Sequence, residues 1–193
     1  MKLIPTGSQT IGPFFREALK RPAWSDLTRE GAEGEIVRID GAVFDGDGSP
    51  VPDALIEIWQ AGPDGRYAHP EDLAPVPSDR LFRGFGRACT DVEGRFWFRT
   101  VVPGAVERPD GARQAPHVNV NVFARGLLRQ LVTRIYFSDR EEENRRDPVL
   151  SAIADEAVRR TLVAEQIAPQ GGFTSYRFDI VLQGPNETAF FAI

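Results

Sequence analysis

The chain has 193 residues, 41% hydrophobic and 26% charged, with a net charge of −5. That length buries a core without metal or disulfide staples, and a single cysteine, Cys89, excludes an intrachain disulfide and suits a reducing cytoplasm. The acidic balance, with no basic cluster to offset it, argues against a nucleic acid partner. No stretch approaches the roughly 20 apolar residues of a membrane helix, and MKLIPTGSQTIGPFF lacks the apolar core of a signal peptide.

The N-terminal segment carries Gly12-Pro13 among Ile11, Phe14 and Phe15. Three large apolar groups so close together predict a packed arm rather than a free tail, laid on this chain's own core or at an interface. Glu35–Phe44 reads as the first strand and Ala54–Gln60 as the second, with FDGDGSPVPD as the turn chemistry between them. In Arg95–Val101, Phe96 and Phe98 share one face. His117–Phe123, HVNVNVF, is the clearest strand: Val118, Val120 and Val122 oppose His117, Asn119, Asn121 and Phe123. Leu131–Phe137 reads as another strand. The run 139–147 is a charged, solvated stretch. Asp147 then fits an N-cap with Pro148 at the first helical position, and a helical stripe follows through Val149, Leu150, Ile153, Ala154 and Ala157 to about Val158. Residues 159–166 fit either an extension of that helix or a strand. Tyr176–Leu182 closes the series as a strand.

Gly 18 and Pro 15 punctuate these runs, and many short strands with long loops argue for an all-β, antiparallel β-sandwich with short peripheral helices. One domain spans 1–193, with 1–20 as an N-terminal arm at a subunit interface. Trp24, Trp59 and Trp97 read as core or interface aromatics, Cys89 as a small buried residue, and His69 as an exposed loop histidine. Tyr136 and Tyr176 read as core or sheet-face residues with hydrogen-bonded hydroxyls.

Ile39–Tyr67 contains Ile39, Gly41, Val43, Gly48, Val51, the triplet Ile56-Glu57-Ile58, Gly65 and Tyr67. This pattern resembles the signature of the intradiol ring-cleavage dioxygenases, and FRTVVPG (98–104), APHVN (115–119) and TRIYF (133–137) agree with it. The resemblance implies a β-sandwich and a reaction in which O₂ and a non-haem Fe(III) open a catecholic ring between its hydroxyls. It also implies an iron site of two tyrosines and a His-x-His pair. Tyr67 and His117 match that set. Asn119 stands where the second histidine belongs, the segment 105–114 contains no tyrosine, and Gln114 replaces an arginine. A neutral amide oxygen is a poor donor to Fe(III). The expectation is a degenerate site of Tyr67, His117 and Asn119, with no catalytic residue and no metal held by this chain.

SQTIGPFF (8–15) and YRFDIVLQG (176–184) resemble the α-type chains of the family's two-chain members, which act on protocatechuate. That resemblance implies a β partner chain holding the Fe(III), αβ units that assemble further, and a substrate pocket partly walled by this chain. Arg134 would face the substrate carboxylate, and Thr10, Gly12 and Pro13 would line the pocket. Two alternatives stand beside it: a self-sufficient dioxygenase with an altered iron site, and a non-enzymatic β-sandwich binding module.

Overall fold

The structure is a computed structural model and describes residues 6–29, 31–72 and 82–192. Residues 1–5 of the expected arm lie outside the described residues. The chain opens with helix α1 (Pro13–Leu19) and a 3₁₀ turn (Pro22–Ser25). Strands β1 (Ile36–Phe44), β2 (Leu55–Gln60), β3 (Phe85–Cys89), β4 (Arg95–Val101), β5 (Val106–Glu107), β6 (Arg113–Gln114), β7 (His117–Phe123) and β8 (Leu131–Phe137) follow. Helices α2 (Glu141–Arg146), α3 (Pro148–Ala152) and α4 (Glu156–Arg160) precede β9 (Val163–Gln170), β10 (Phe173–Arg177) and β11 (Ile180–Val181).

The strands run in the order β11-β1-β10-β9-β8-β7-β2-β3, with β4 also paired to β1. Most pairs are antiparallel, as the sequence predicts, but β1 pairs β10 and β11 in parallel, and β8 pairs β9 in parallel. The two layers meet where β9 leaves β10 to touch β8 at Tyr136 and Phe137. Between the layers lie Ile39, Val43, Ile56, Ile58, Phe96, Phe98, Val118, Val120, Ile135 and Tyr176, all buried. A second, smaller cluster on the far side of β8 joins Tyr136 to Ala115, Leu150 and Leu162. Successive residues of a strand face opposite ways, so Phe137 enters the main core while Tyr136 enters the outer cluster.

The strand expected over Tyr176–Leu182 is interrupted. At the break the backbone of Phe178 crosses close over β1, where a Cβ on Gly41 would lie 2.0 Å from the Phe178 carbonyl oxygen. The Phe178 amide still donates to Asp40 O at 2.9 Å. The next rung is carried by a side chain: the Ala42 amide donates to Asp179 Oδ1 at 2.8 Å. Only glycine at 41 admits that approach.

The helical stripe expected to run to about Val158 also breaks. Asp147 caps α3, accepting from the Val149 and Leu150 amides at 2.8 and 2.9 Å. Ile153 then turns extended, and Asp155 caps the separate helix α4 by accepting from the Ala157 amide at 2.8 Å. Asp155→Ala is expected to destabilise the chain by about 1 kcal/mol in chemical denaturation. The charged run 139–147 is mostly the solvated helix α2, laced by Arg145–Glu141 and Arg145–Glu142 pairs at 2.8 and 2.5 Å. Beyond α4 the chain becomes strand β9 from Val163. No helix among the described residues is long and apolar enough to cross a membrane.

Three aromatics depart from the core reading. Trp24, Trp59 and Trp97 are 43%, 41% and 38% exposed on the outer sheet surfaces. Arg87 covers Trp24 and Arg38 covers Trp97, each with the guanidinium 4.8 Å from the ring. Cys89 is half-buried rather than buried, because it points outward at the end of an outer strand, and burial pushes its thiol up. Beside the outer strands, Asp26 lies 7% exposed and accepts from Arg99 Nε at 3.0 Å. Burial pushes its carboxyl up, but the bonds from Arg99 and Thr28 outweigh it and hold the group below the usual range.

Candidate functional site

Tyr67 reaches its place from the loop after β2. Gly65 holds φ +77° there, and a Cβ at that position would lie 2.1 Å from Ala105 O, so the loop seats against the 104–105 backbone only with glycine. The Tyr67 amide donates to Asp72 Oδ2 at 2.5 Å, and its ring packs 4.8 Å from the Trp59 ring. His117 and Asn119 come from β7 on one face, two residues apart.

The structure brings the three expected remnants together. Asn119 Nδ2 donates to the Tyr67 hydroxyl oxygen at 2.9 Å and to Trp59 O at 3.1 Å. The Tyr67 oxygen lies 3.5 Å from His117 Nε2, at the limit of a hydrogen bond. His117 Nδ1 lies 2.7 Å from Ala115 O. A carbonyl only accepts, so Nδ1 carries a proton; burial disfavours the doubly protonated ring, so Nε2 offers a lone pair to the Tyr67 hydroxyl. The array is therefore neutral throughout. Burial, reinforced by the charge of Arg134, pushes His117 down to about 4 from 6.5. Burial raises the Tyr67 phenol above its ordinary value despite Asn119 and Arg134.

Arg134 stands beside this array because β8 pairs with β7 in a register that sets it opposite Asn119 and sets Tyr136 opposite His117. Its Nη1 donates to the Tyr136 oxygen at 3.4 Å. The sequence marks Arg134 and reads Tyr136 as a core or sheet-face residue with a hydrogen-bonded hydroxyl; it is a core residue, with no exposed surface. The link between the two, and from Tyr136 to Asp147, depends on strand register, which no local pattern carries.

The N-terminal residues sit elsewhere. Thr10 Oγ1 accepts from the Gly126 amide at 2.8 Å, at the turn between β7 and β8 rather than at Arg134. Gly12 is the N-cap of α1, Pro13 opens that helix, and a Cβ on Gly12 would meet nothing within 4 Å. Phe15 anchors the segment on this chain's own sheet, 5.5 Å from Phe123, while Phe14 is 82% exposed. His69 is exposed, as expected, with Nδ1 accepting from the Glu71 amide at 3.2 Å. Tyr176 is fully buried and donates to Asp139 Oδ1 at 3.0 Å. Segment 105–114, which carries no tyrosine, folds largely as the β5–β6 hairpin with Gln114 opposite Val106.

Known proteins resemble this chain over most of its length. A family model described as "Dioxygenase" matches residues 12–184. The chain is 40% identical to the protocatechuate 3,4-dioxygenase alpha chain of Burkholderia cepacia, over 99% of this chain and 98% of that one. It is 33% identical to the beta chain from the same organism, over 94% of this chain and 77% of the relative. Among solved structures, the dioxygenase domain of a dioxygenase carbohydrate-binding protein fusion from Streptomyces sp. SirexAA-E superposes with a TM-score of 0.59 at 26% identity, covering 94% of this chain and all of that one. A match across most of the chain, joined to the β-sandwich and the Tyr67–His117 geometry, makes this chain a member of the intradiol dioxygenase family.

Proposed function

We propose that the chain is the non-catalytic alpha subunit of protocatechuate 3,4-dioxygenase, pairing with an iron-bearing beta subunit in αβ units that assemble further. The pair cleaves protocatechuate with O₂ to 3-carboxy-cis,cis-muconate, and this chain completes the substrate pocket. Likeness to an alpha chain and, at lower identity, to a beta chain of one organism supports an α role within a two-chain enzyme. A lone unpaired thiol suits the cytoplasm.

The observation that carries the non-catalytic half of this reading is the donor set, one phenol and one imidazole joined to an amide N–H. Fe(III) needs anionic oxygen donors and imidazoles converging on one point. Here the second imidazole position holds Asn119, whose amide N–H points at the Tyr67 oxygen that would have to bind the metal. A fixed guanidinium, Arg134, stands on the adjacent strand and opposes a further cation. The residues present do not fit Fe(III), and the ring-opening chemistry is assigned to the partner's site.

Arg134 then has another use. A planar guanidinium matches a carboxylate, and protocatechuate carries one remote from its two hydroxyls. Thr10, Gly12 and Pro13 sit away from Arg134 within this chain and are assigned to a pocket wall that forms against a second chain, a contact that the open space at Gly12 and the exposed Phe14 suit.

The test is to purify the chain alone and with its beta partner, and to measure iron content and protocatechuate-dependent O₂ uptake. Iron below stoichiometric levels and no uptake alone, with activity on co-expression, is the expected result. Stoichiometric iron and turnover in the lone chain would overturn it in favour of a self-sufficient enzyme.

A further inference from the structure

Arg134 is not a free surface arginine. Its Nη1 donates to the Tyr136 oxygen at 3.4 Å, and its guanidinium carbon lies 6.0 Å from the centre of the Phe191 ring. Phe191 is brought there because the C-terminal segment lies along β8, its amide donating to Val132 O at 2.8 Å. A long, flexible side chain is thereby held between a phenol and an aromatic ring.

The phenol is itself fixed. Tyr136 has no exposed surface, and its hydroxyl donates to Asp147 Oδ1 at 3.2 Å. Asp147 is fully buried and cannot turn away. Its Oδ1 also takes the Val149 and Leu150 amides, and its Oδ2 takes the Ala115 amide at 2.8 Å. The Tyr136 hydroxyl has one proton, committed to Asp147, so its lone pair faces Arg134. The direction of every bond in this relay is set by chemistry: guanidinium N–H to phenol oxygen, phenol O–H to carboxylate. Asp147 looks in sequence like an ordinary helix cap. In the fold it joins the start of α3, the segment before His117, and the strand that carries Arg134.

We infer that Tyr136, anchored by Asp147, is a positioning residue that orients the Arg134 guanidinium toward the carboxylate of an aromatic acid. The inference rests on the proposed role of Arg134 in the pocket and adds the reason that guanidinium has one orientation. A charged fork held in place loses less rotamer freedom when it binds than one that must first be ordered.

The experiment uses the co-expressed αβ enzyme with Tyr136→Phe, Arg134→Ala, the double variant and Arg134→Lys. Tyr136→Phe is expected to raise the KM for protocatechuate roughly three- to tenfold, the cost of ordering one such side chain. The kcat, and the inhibition constant of catechol, which lacks the carboxylate, stay unchanged. In the Arg134→Ala background the second substitution adds nothing, because the group it positions is gone. Arg134→Lys removes no buried hydroxyl, so it tests orientation even if Tyr136→Phe assembles poorly. Its KM is expected to rise nearly as far as that of Arg134→Ala. A wild-type KM in either Tyr136→Phe or Arg134→Lys, with a raised KM in Arg134→Ala, overturns the positioning role and leaves the pocket role of Arg134 standing. An additive double variant, or an equal loss of catechol binding, makes Tyr136 merely structural. A wild-type KM in Arg134→Ala removes the pocket role and this inference with it.

Discussion

In the αβ enzyme, Arg134→Ala is expected to raise the KM for protocatechuate by roughly ten- to a hundredfold, the loss of a charge-assisted contact of about 1.5–3 kcal/mol. The kcat is expected to change little. The carboxylate lies across the ring from the hydroxyls that react, so its contact is the same in the bound substrate and in the transition state. Removing such uniform binding appears in KM. The contact is strong because Arg134 is half-buried and held, so solvent screens it less than an ion pair between two exposed side chains. Steady-state O₂ uptake at varied protocatechuate, on complex whose stoichiometry is verified, reads the effect. Unchanged kinetics in a correctly assembled complex would sink the assignment.

The same prediction separates what was legible in the sequence from what was not. Period-2 alternation marks β7 from His117 to Phe123 and β8 from Leu131 to Phe137, and both appear with those bounds. Tyr67, His117 and Asn119 were legible as a group through the family pattern, and they do converge. The missing information is register. Nothing in HVNVNVF or TRIYF says that Asn119 faces Arg134 and that His117 faces Tyr136, because strand pairing is settled by neighbours far away in the chain. Long-range geometry also hid the break after Arg177. The alternation of Tyr176, Phe178 and Ile180 is real in burial, while Leu182 is only partly buried, and the ladder fails where Phe178 crosses Gly41 and Asp179 reaches back to Ala42. Helix ends were partly legible. Asp147-Pro148 carries cap chemistry in plain view, whereas Asp155, the same residue type with the same role, lay inside an apolar stripe that masked it. Of the core or interface reading of the tryptophans, the core half fails for a simpler reason. Large aromatics suit both cores and outer sheet faces, and here arginines stacked on Trp24 and Trp97 stabilise the outer positions.

Acidification is expected to reveal His117 as the most pH-sensitive group of the Tyr67–His117–Asn119 array. Burial comes first in lowering it to about 4, and Arg134 adds to the effect, while the Ala115 carbonyl and Asp147 act the other way. The folded chain therefore holds His117 neutral across a window in which an unfolded chain would protonate it. Above pH 6.5 the histidine exerts no penalty. As the pH falls from 6.5 towards 4 the unfolded state takes up a proton that the folded state refuses, and stability declines. The loss attributable to this one residue is roughly 3 kcal/mol by pH 4, because refusing the proton costs about 1.4 kcal/mol for every pH unit below the unfolded value. His117→Asn keeps a donor for Ala115 O and removes the titration. Urea denaturation of both proteins at pH 7, 6, 5 and 4.5 compares their slopes, so any fixed cost of the substitution cancels. The wild type is expected to lose stability more steeply below pH 6.5 than the variant. Parallel curves would mean that the folded site admits the proton, through a turn of the Tyr67 phenol or the entry of water beside Arg134. A neutral imidazole is also the state a metal requires. By keeping His117 uncharged while Asn119 turns an N–H toward Tyr67, the chain preserves half of a metal site's protonation pattern in a form that hydrogen bonds, rather than a cation, hold together.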